Sequence, residues 1–194
     1  MALAPSCRGG NPLIAFVSGG VRSGKSEAAE QLVLRWGKRD SQKASAAYIA
    51  TAQRTDSEMK QRIQIHQDRR GDAWITYELS AASDLGRVLR RIVPESPVLL
   101  DCVTIWASRM LFEENREPDS ICAYWTDCLR DCRDRRLAAV IVSNDLNEGM
   151  PMRDEWTQVY MRLLERLHRL TVEEADIAVQ TIVGIPLVWK GEHR

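Results

Sequence analysis

The chain has 194 residues, and Lys plus Arg equals Asp plus Glu at 27 each. That balance excludes a global field favouring nucleic acid or a membrane surface, and no apolar run approaches membrane-spanning length. Five cysteines, Cys7, Cys102, Cys122, Cys128 and Cys132, are an odd count without C-x-x-C spacing, so reduced core thiols fit them better than a metal site.

Residues 1–12 read as a flexible leader with no charged-then-apolar export signal, which implies a cytoplasmic protein. Residues 13–194 are of a length for one domain. The run Leu13-Ile14-Ala15-Phe16-Val17 is a buried strand, and Ala28, Leu32, Val33 and Trp36 mark a helix after it. Between them stands GGVRSGKS, residues 19–26. Gly19, four residues, then Gly24-Lys25-Ser26 is the phosphate-loop pattern in its strand–loop–helix setting. Glycines let successive N–H groups curl into an anion nest at a helix N-terminus. Lys25 reaches the β- and γ-phosphates of a nucleoside triphosphate, and the Ser26 hydroxyl sits on Mg²⁺.

AAYIAT (46–51) is a second strand, and residues 55–70 form a polar helix with a Thr or Asp cap. AWITYEL alternates as a strand. Ser80 caps a helix whose apolar stripe is Leu85, Val88, Leu89 and Ile92. PVLLD (97–101) is a buried strand ending in Asp101, which either holds Mg²⁺ through water or caps the next helix. Two helices follow, the second with Ile121, Trp125, Cys128, Leu129 and Cys132 in register. LAAVIVSND is another buried strand. Residues 152–170 form a helix with Trp156, Val159, Tyr160, Leu163 and Leu167 inward. A last strand, a turn at Gly184-Ile185-Pro186 and a short strand close the chain. Strands alternating with helices imply a mostly parallel sheet with helices on both faces.

Of three histidines, His66 stands out. Met59, Ile63 and His66 share one helix face, the spacing of a core histidine. Arg62, Arg69 and Arg70 lie within about a turn, which instead suits an imidazole attacking phosphorus while guanidiniums spread the charge. His168 reads as helix surface and His193 as a frayed tail.

The segments SGGVRSGKS, YIATAQRTDSEMKQRIQIHQDRR, AWITYE, LLDCVTIWASRMLF, VSND and GIPLVWK resemble the bifunctional adenosylcobinamide kinase / adenosylcobinamide-phosphate guanylyltransferase family of cobalamin biosynthesis. The resemblance implies a RecA-like P-loop NTPase fold and a homotrimer. It implies phosphorylation of adenosylcobinamide with ATP or GTP, then GMP transfer from GTP through a guanylyl-histidine to the phosphorylated product, with Mg²⁺. By position, the guanylylated histidine is His66. Nucleotide contacts fall on Gly19, Gly20, Val21, Arg22, Ser23, Gly24, Lys25 and Ser26. Further ones fall on Thr51, Ala52 and Gln53, on Asp68, Arg69, Arg70 and Gly71, and on Glu78. Asp101 is the metal acid, with Ser26 as its partner. The chain departs from the family pattern at Gly71 (usually Pro), Arg109 (usually Asn), Asp145 (usually Glu) and Glu165-Arg166-Leu167-His168-Arg169 (usually GR-x-NQ). Guanylyl transfer alone, or a nucleotide-binding module without catalysis, are the other readings.

Overall fold

The computed structural model describes residues 14–37, 45–52, 74–145 and 154–191. The leader, the expected helix at 55–70 and the tail with His193 lie outside them. Seven strands form one sheet: β1 (Ile14–Gly19), β2 (Ala46–Ala50), β3 (Trp74–Glu78), β4 (Pro97–Asp101), β5 (Ala138–Val142), β6 (Ile177–Ile182) and β7 (Ile185–Lys190). Their order is β3-β2-β4-β5-β1-β6-β7. The first six run parallel and β7 pairs antiparallel with β6. All parallel strands therefore end on one side, the side where open α/β sheets bind ligands.

The strand pleat sends alternate residues to opposite faces, and both faces are apolar. Ile14, Phe16, Ile49, Leu100 and Ile141 enter one core with α2 (Leu85–Arg91), α3 (Val103–Ser108), α4 (Pro118–Asp134) and α5 (Glu155–Glu174). Ala15, Val17, Tyr48, Leu99, Val140 and Val142 enter the other, against Leu32, Val33 and Trp36 of α1 (Lys25–Gly37). Trp106 and Trp125 are fully buried in the first core, their rings 4.9 Å apart. Each indole N–H is satisfied, Trp106 donating to the Ala82 carbonyl and Trp125 to the Thr171 hydroxyl, both at 2.9 Å.

Several sequence expectations need correction. A 3₁₀ turn, Ala82–Asp84, precedes α2, and the Asp84 carboxylate accepts from the Ala81 N–H at 3.1 Å, so Ser80 is not the cap. The helix α3 passes into a π-helical turn at Arg109–Glu113. Trp156 lies in the first turn of α5 before the helix reaches the core, and it is 64% exposed. Hairpin reversal occurs at Val183-Gly184, with positive φ at both residues, as a two-residue turn between twisted strands requires. Ile185 and Pro186 already belong to β7. The four described cysteines, Cys102, Cys122, Cys128 and Cys132, are buried free thiols, as expected. Burial pushes the thiol of Cys132 up to about 12, holding it neutral.

Candidate functional site: the phosphate loop and its strand ends

The loop Gly19–Ser26 joins the carboxyl end of β1 to the first turn of α1. Glycine is required at two of its positions. A Cβ on Gly19 would meet the Ser23 Oγ at 2.5 Å and the Thr181 carbonyl at 2.6 Å. Gly24 has φ +87°, a conformation strained for any side chain. Arg22 also holds a positive φ of 60° at the exposed apex. Lys25 is buried along its length, and its ammonium donates to the Gly20 carbonyl at 3.1 Å, so its charge lies folded over the nest. The hydroxyls of Ser23 and Thr181 are buried with no hydrogen-bond partner, the first inside the loop and the second on β6 beside it. Two unmatched hydroxyls in and beside a loop that also carries an ammonium suit an anion with several oxygens.

Asp101 closes β4, half-buried, and accepts from the Tyr48 hydroxyl at 3.2 Å. Behind it Thr51 is fully buried. Its hydroxyl oxygen accepts from the Cys102 N–H at 2.7 Å and lies 3.0 and 2.9 Å from the Asp101 and Cys102 carbonyls. Thr51 thus ties the ends of β2 and β4 together and orients the acid. Burial and the Asp101 charge push the Cys102 thiol up to about 11, so it stays a neutral packing group. Ala52 follows β2, and Glu78 ends β3 exposed, at the far edge of the same strand-end surface. His66, Gln53, Asp68, Arg69, Arg70 and Gly71 lie outside the described residues.

The sequence marks Arg109 only as a departure from the family's usual Asn, not as a structural tie. It is 4% exposed and uses its whole fork. It donates to the carbonyls of Thr51 (2.8 Å), Leu79 (3.2 Å) and Ser80 (2.8 Å), and to Glu113 (3.0 Å). A planar guanidinium can collect the ends of two strands in this way, which an amide cannot.

On the other side of the acid, β5 lies between β4 and β1. The Asp145 N–H donates to the Gly19 carbonyl at 3.1 Å, and its carboxylate accepts from Gln180 at 2.9 Å. His168, expected on the surface, is instead packed against the Phe16 ring, with centroids 5.1 Å apart. Its Nε2 lies 2.6 Å from the Ser143 hydroxyl, which is 3.1 Å from that of Thr104. Burial pushes the imidazole below its ordinary 6.5, against an opposing pull from Asp145.

A phosphate loop after the interior strand β1, an acid two strands away and a mostly parallel sheet define a nucleotide-binding protein of the RecA-like class. Consistent with that fold, a KaiC-like protein from Pyrococcus horikoshii superposes with a TM-score of 0.59 at 10% identity, over 94% of this chain and 81% of that one. The family described as cobinamide kinase / cobinamide phosphate guanyltransferase matches residues 15–189, and the chain belongs to it. It is 33% identical to the bifunctional adenosylcobalamin biosynthesis protein CobP of Pseudomonas aeruginosa, over 91% of this chain and 97% of that protein. It is 26% identical to CobU of Salmonella typhimurium, over 89% and 97% respectively.

Proposed function

We propose that this protein is a bifunctional enzyme of cobalamin biosynthesis. It phosphorylates the hydroxyl of adenosylcobinamide, then converts the phosphate to adenosyl-GDP-cobinamide with GTP. The observation that carries this reading is a complete phosphate loop beside a strand-end acid in a chain matching the family from residue 15 to 189.

The loop N–H groups and Lys25 grip the β- and γ-phosphates. The Ser26 hydroxyl and the Asp101 carboxylate are oxygen donors of the kind that Mg²⁺ takes together with phosphates, so the residues present fit that cation. When bound, Mg²⁺ neutralises charge on the phosphate oxygens. Thr51 and Arg109 hold the Asp101 corner in place. In the second reaction a nitrogen of His66 bonds the α-phosphorus of GTP while the bond to the α–β bridging oxygen breaks, and pyrophosphate leaves with the electron pair. The imidazole N–H proton passes to solvent. A phosphate oxygen of the corrinoid then displaces the imidazole from phosphorus, and the departing ring takes a proton back from solvent. We further assign the enzyme to the cytoplasm as a homotrimer. Exposed Ile182, Val183, Ile185, Leu187 and Trp189 on the β6–β7 hairpin support burial of that edge between copies.

The test is a mass spectrum after incubation with GTP and Mg²⁺. The wild type gains one GMP through an acid-labile, base-stable bond, whereas His66→Asn binds GTP and gains nothing. A labelled His66→Asn protein would end the guanylyl-histidine assignment.

A further inference from the structure

Past Val142, where β5 ends, the chain continues the parallel ladder along β1. The Ser143 N–H donates to the Val17 carbonyl at 3.0 Å, and the Asp145 N–H donates to the Gly19 carbonyl at 3.1 Å. Residues 143–145 are thus a strap that holds the first residue of the phosphate loop. Gly19 is packed so closely against Ser23 and the Thr181 carbonyl that no Cβ fits, so a shift of the strap passes into the loop. Two helices hold the strap in turn. Thr104, in the first turn of α3, accepts from the Asn144 N–H at 2.8 Å. His168 of α5 packs its ring on Phe16 of β1 and sets its Nε2 2.6 Å from the Ser143 hydroxyl. The Ser143 and Thr104 hydroxyls are 3.1 Å apart, and both residues are buried.

The hydroxyl protons give this chain of bonds a direction. Thr104 Oγ1 accepts from Asn144 and gives its own proton to Ser143 Oγ, which gives its proton to Nε2 of a neutral His168. Every proton then meets an oxygen or a nitrogen. A protonated ring must donate at Nε2, so Ser143 turns its proton back toward Thr104. Among the described residues, the Thr104 proton is then left with the sulfur of Cys102, a weak acceptor. A buried hydroxyl so placed is costly, and the strap is where the cost is relieved by movement.

We propose that His168 is a positioning residue of the phosphate loop, acting through Ser143 and the strap, so that the neutral ring supports the grip on nucleotide and the protonated ring loosens it. The proposal deepens the nucleotide-binding reading above and rests on it. The charges around the ring do not reverse it. β1 faces the ring with Phe16 and α3 faces it with Thr104, neither of which titrates. On α5, Leu164 and Val172 lie one turn to either side, and the neighbouring Glu165 and Arg169 are exposed. Burial disfavours the charged ring more than the Asp145 carboxylate favours it. That carboxylate already accepts from the Gln180 amide at 2.9 Å and from the Ser18 hydroxyl at 3.4 Å. Charge alone would act the other way, because a cationic ring beside the strap attracts phosphate. The sign of the pH effect therefore separates positioning from simple attraction.

The experiment measures the Kd for GTP with Mg²⁺ from about pH 7.5 to about pH 5, with wild type and variants side by side and circular dichroism confirming the fold at each pH. Terminal phosphates titrate in the same range, so the ratio of variant to wild-type Kd at each pH is read. His168→Asn keeps a polar acceptor for Ser143 and does not titrate. Relative to it, wild type should lose about fivefold or more in affinity as the pH falls. His168→Leu keeps apolar packing on Phe16 and removes the acceptor. At about pH 7.5 it should bind GTP about fivefold or more weakly than wild type, with His168→Asn restoring most of the loss. By reciprocity, saturating GTP should lower the pKa of the His168 ring followed by NMR. A histidine that only packs would move none of these, since its variants would unfold more readily while the folded protein bound GTP normally. Parallel pH profiles for wild type and His168→Asn, a relative affinity that rises as pH falls, or wild-type affinity in His168→Leu would each overturn the positioning role and leave the phosphate loop assigned. Where His168→Leu does not fold, the comparison of wild type with His168→Asn decides alone. A wild type that binds no GTP at any of these pH values would overturn the nucleotide-binding reading itself, and the role of His168 with it.

Discussion

Among the described residues, the two faces of the sheet are covered to different depths. Within them, α2, α3, α4 and α5 cover one face, packing Trp106 against Trp125 in its core. Among the same described residues, the other is covered by α1, whose first turn is the end of the phosphate loop. The face with α1 carries the loop, which keeps Lys25 and two unmatched hydroxyls ready for phosphate. Arg109 and His168 reach from helices of the thick face to the strand ends, so the two layers meet at the site.

The largest effect should come from emptying the thick face. Trp125→Ala removes a fully buried indole and leaves the Thr171 hydroxyl without its donor, so about 3–5 kcal/mol should be lost in denaturant unfolding. A loss under about 1 kcal/mol would show that this core does not carry the fold. Next is the link between layers. Arg109→Ala orphans the Thr51, Leu79 and Ser80 carbonyls, at roughly 2–4 kcal/mol, and Arg109→Lys should recover only part because an ammonium lacks the planar fork. Full recovery by Lys would mean that charge alone matters there.

Lys25→Ala should invert the pattern: stability within about 1 kcal/mol of wild type, but triphosphate binding abolished in calorimetric titration with GTP. Near-unchanged affinity would refute the phosphate-loop assignment. The smallest effect concerns His168. Its folded-state pKa is depressed below 6.5, so the folded protein favours the neutral ring. The stability this gives is present above pH 6.5 and is lost as pH falls through the folded value. His168→Asn should flatten that acid-side slope in urea titrations between pH 7 and pH 5, whereas an unchanged slope would assign it to other groups.

The phosphate loop, Asp101 at its strand end, the alternation of strands with helices and the buried stripe of α4 were all legible in the chain. Each has its cause within a few residues: a glycine that alone tolerates its φ, a period of two or of 3.6, a polar residue that ends an apolar run. What the tertiary structure decided has no local cause. Arg109 is a buried tie because Thr51, 58 positions away, turns its carbonyl toward it. His168 leaves the solvent because Phe16 and a serine 25 residues earlier in the chain lie beneath its helix. Trp156 follows the apolar period yet stays exposed, because α5 meets the sheet only beyond its first turn. Periodicity states which face of a helix is apolar, but only the packed neighbours determine how far along that helix the core extends, and which polar groups it must satisfy.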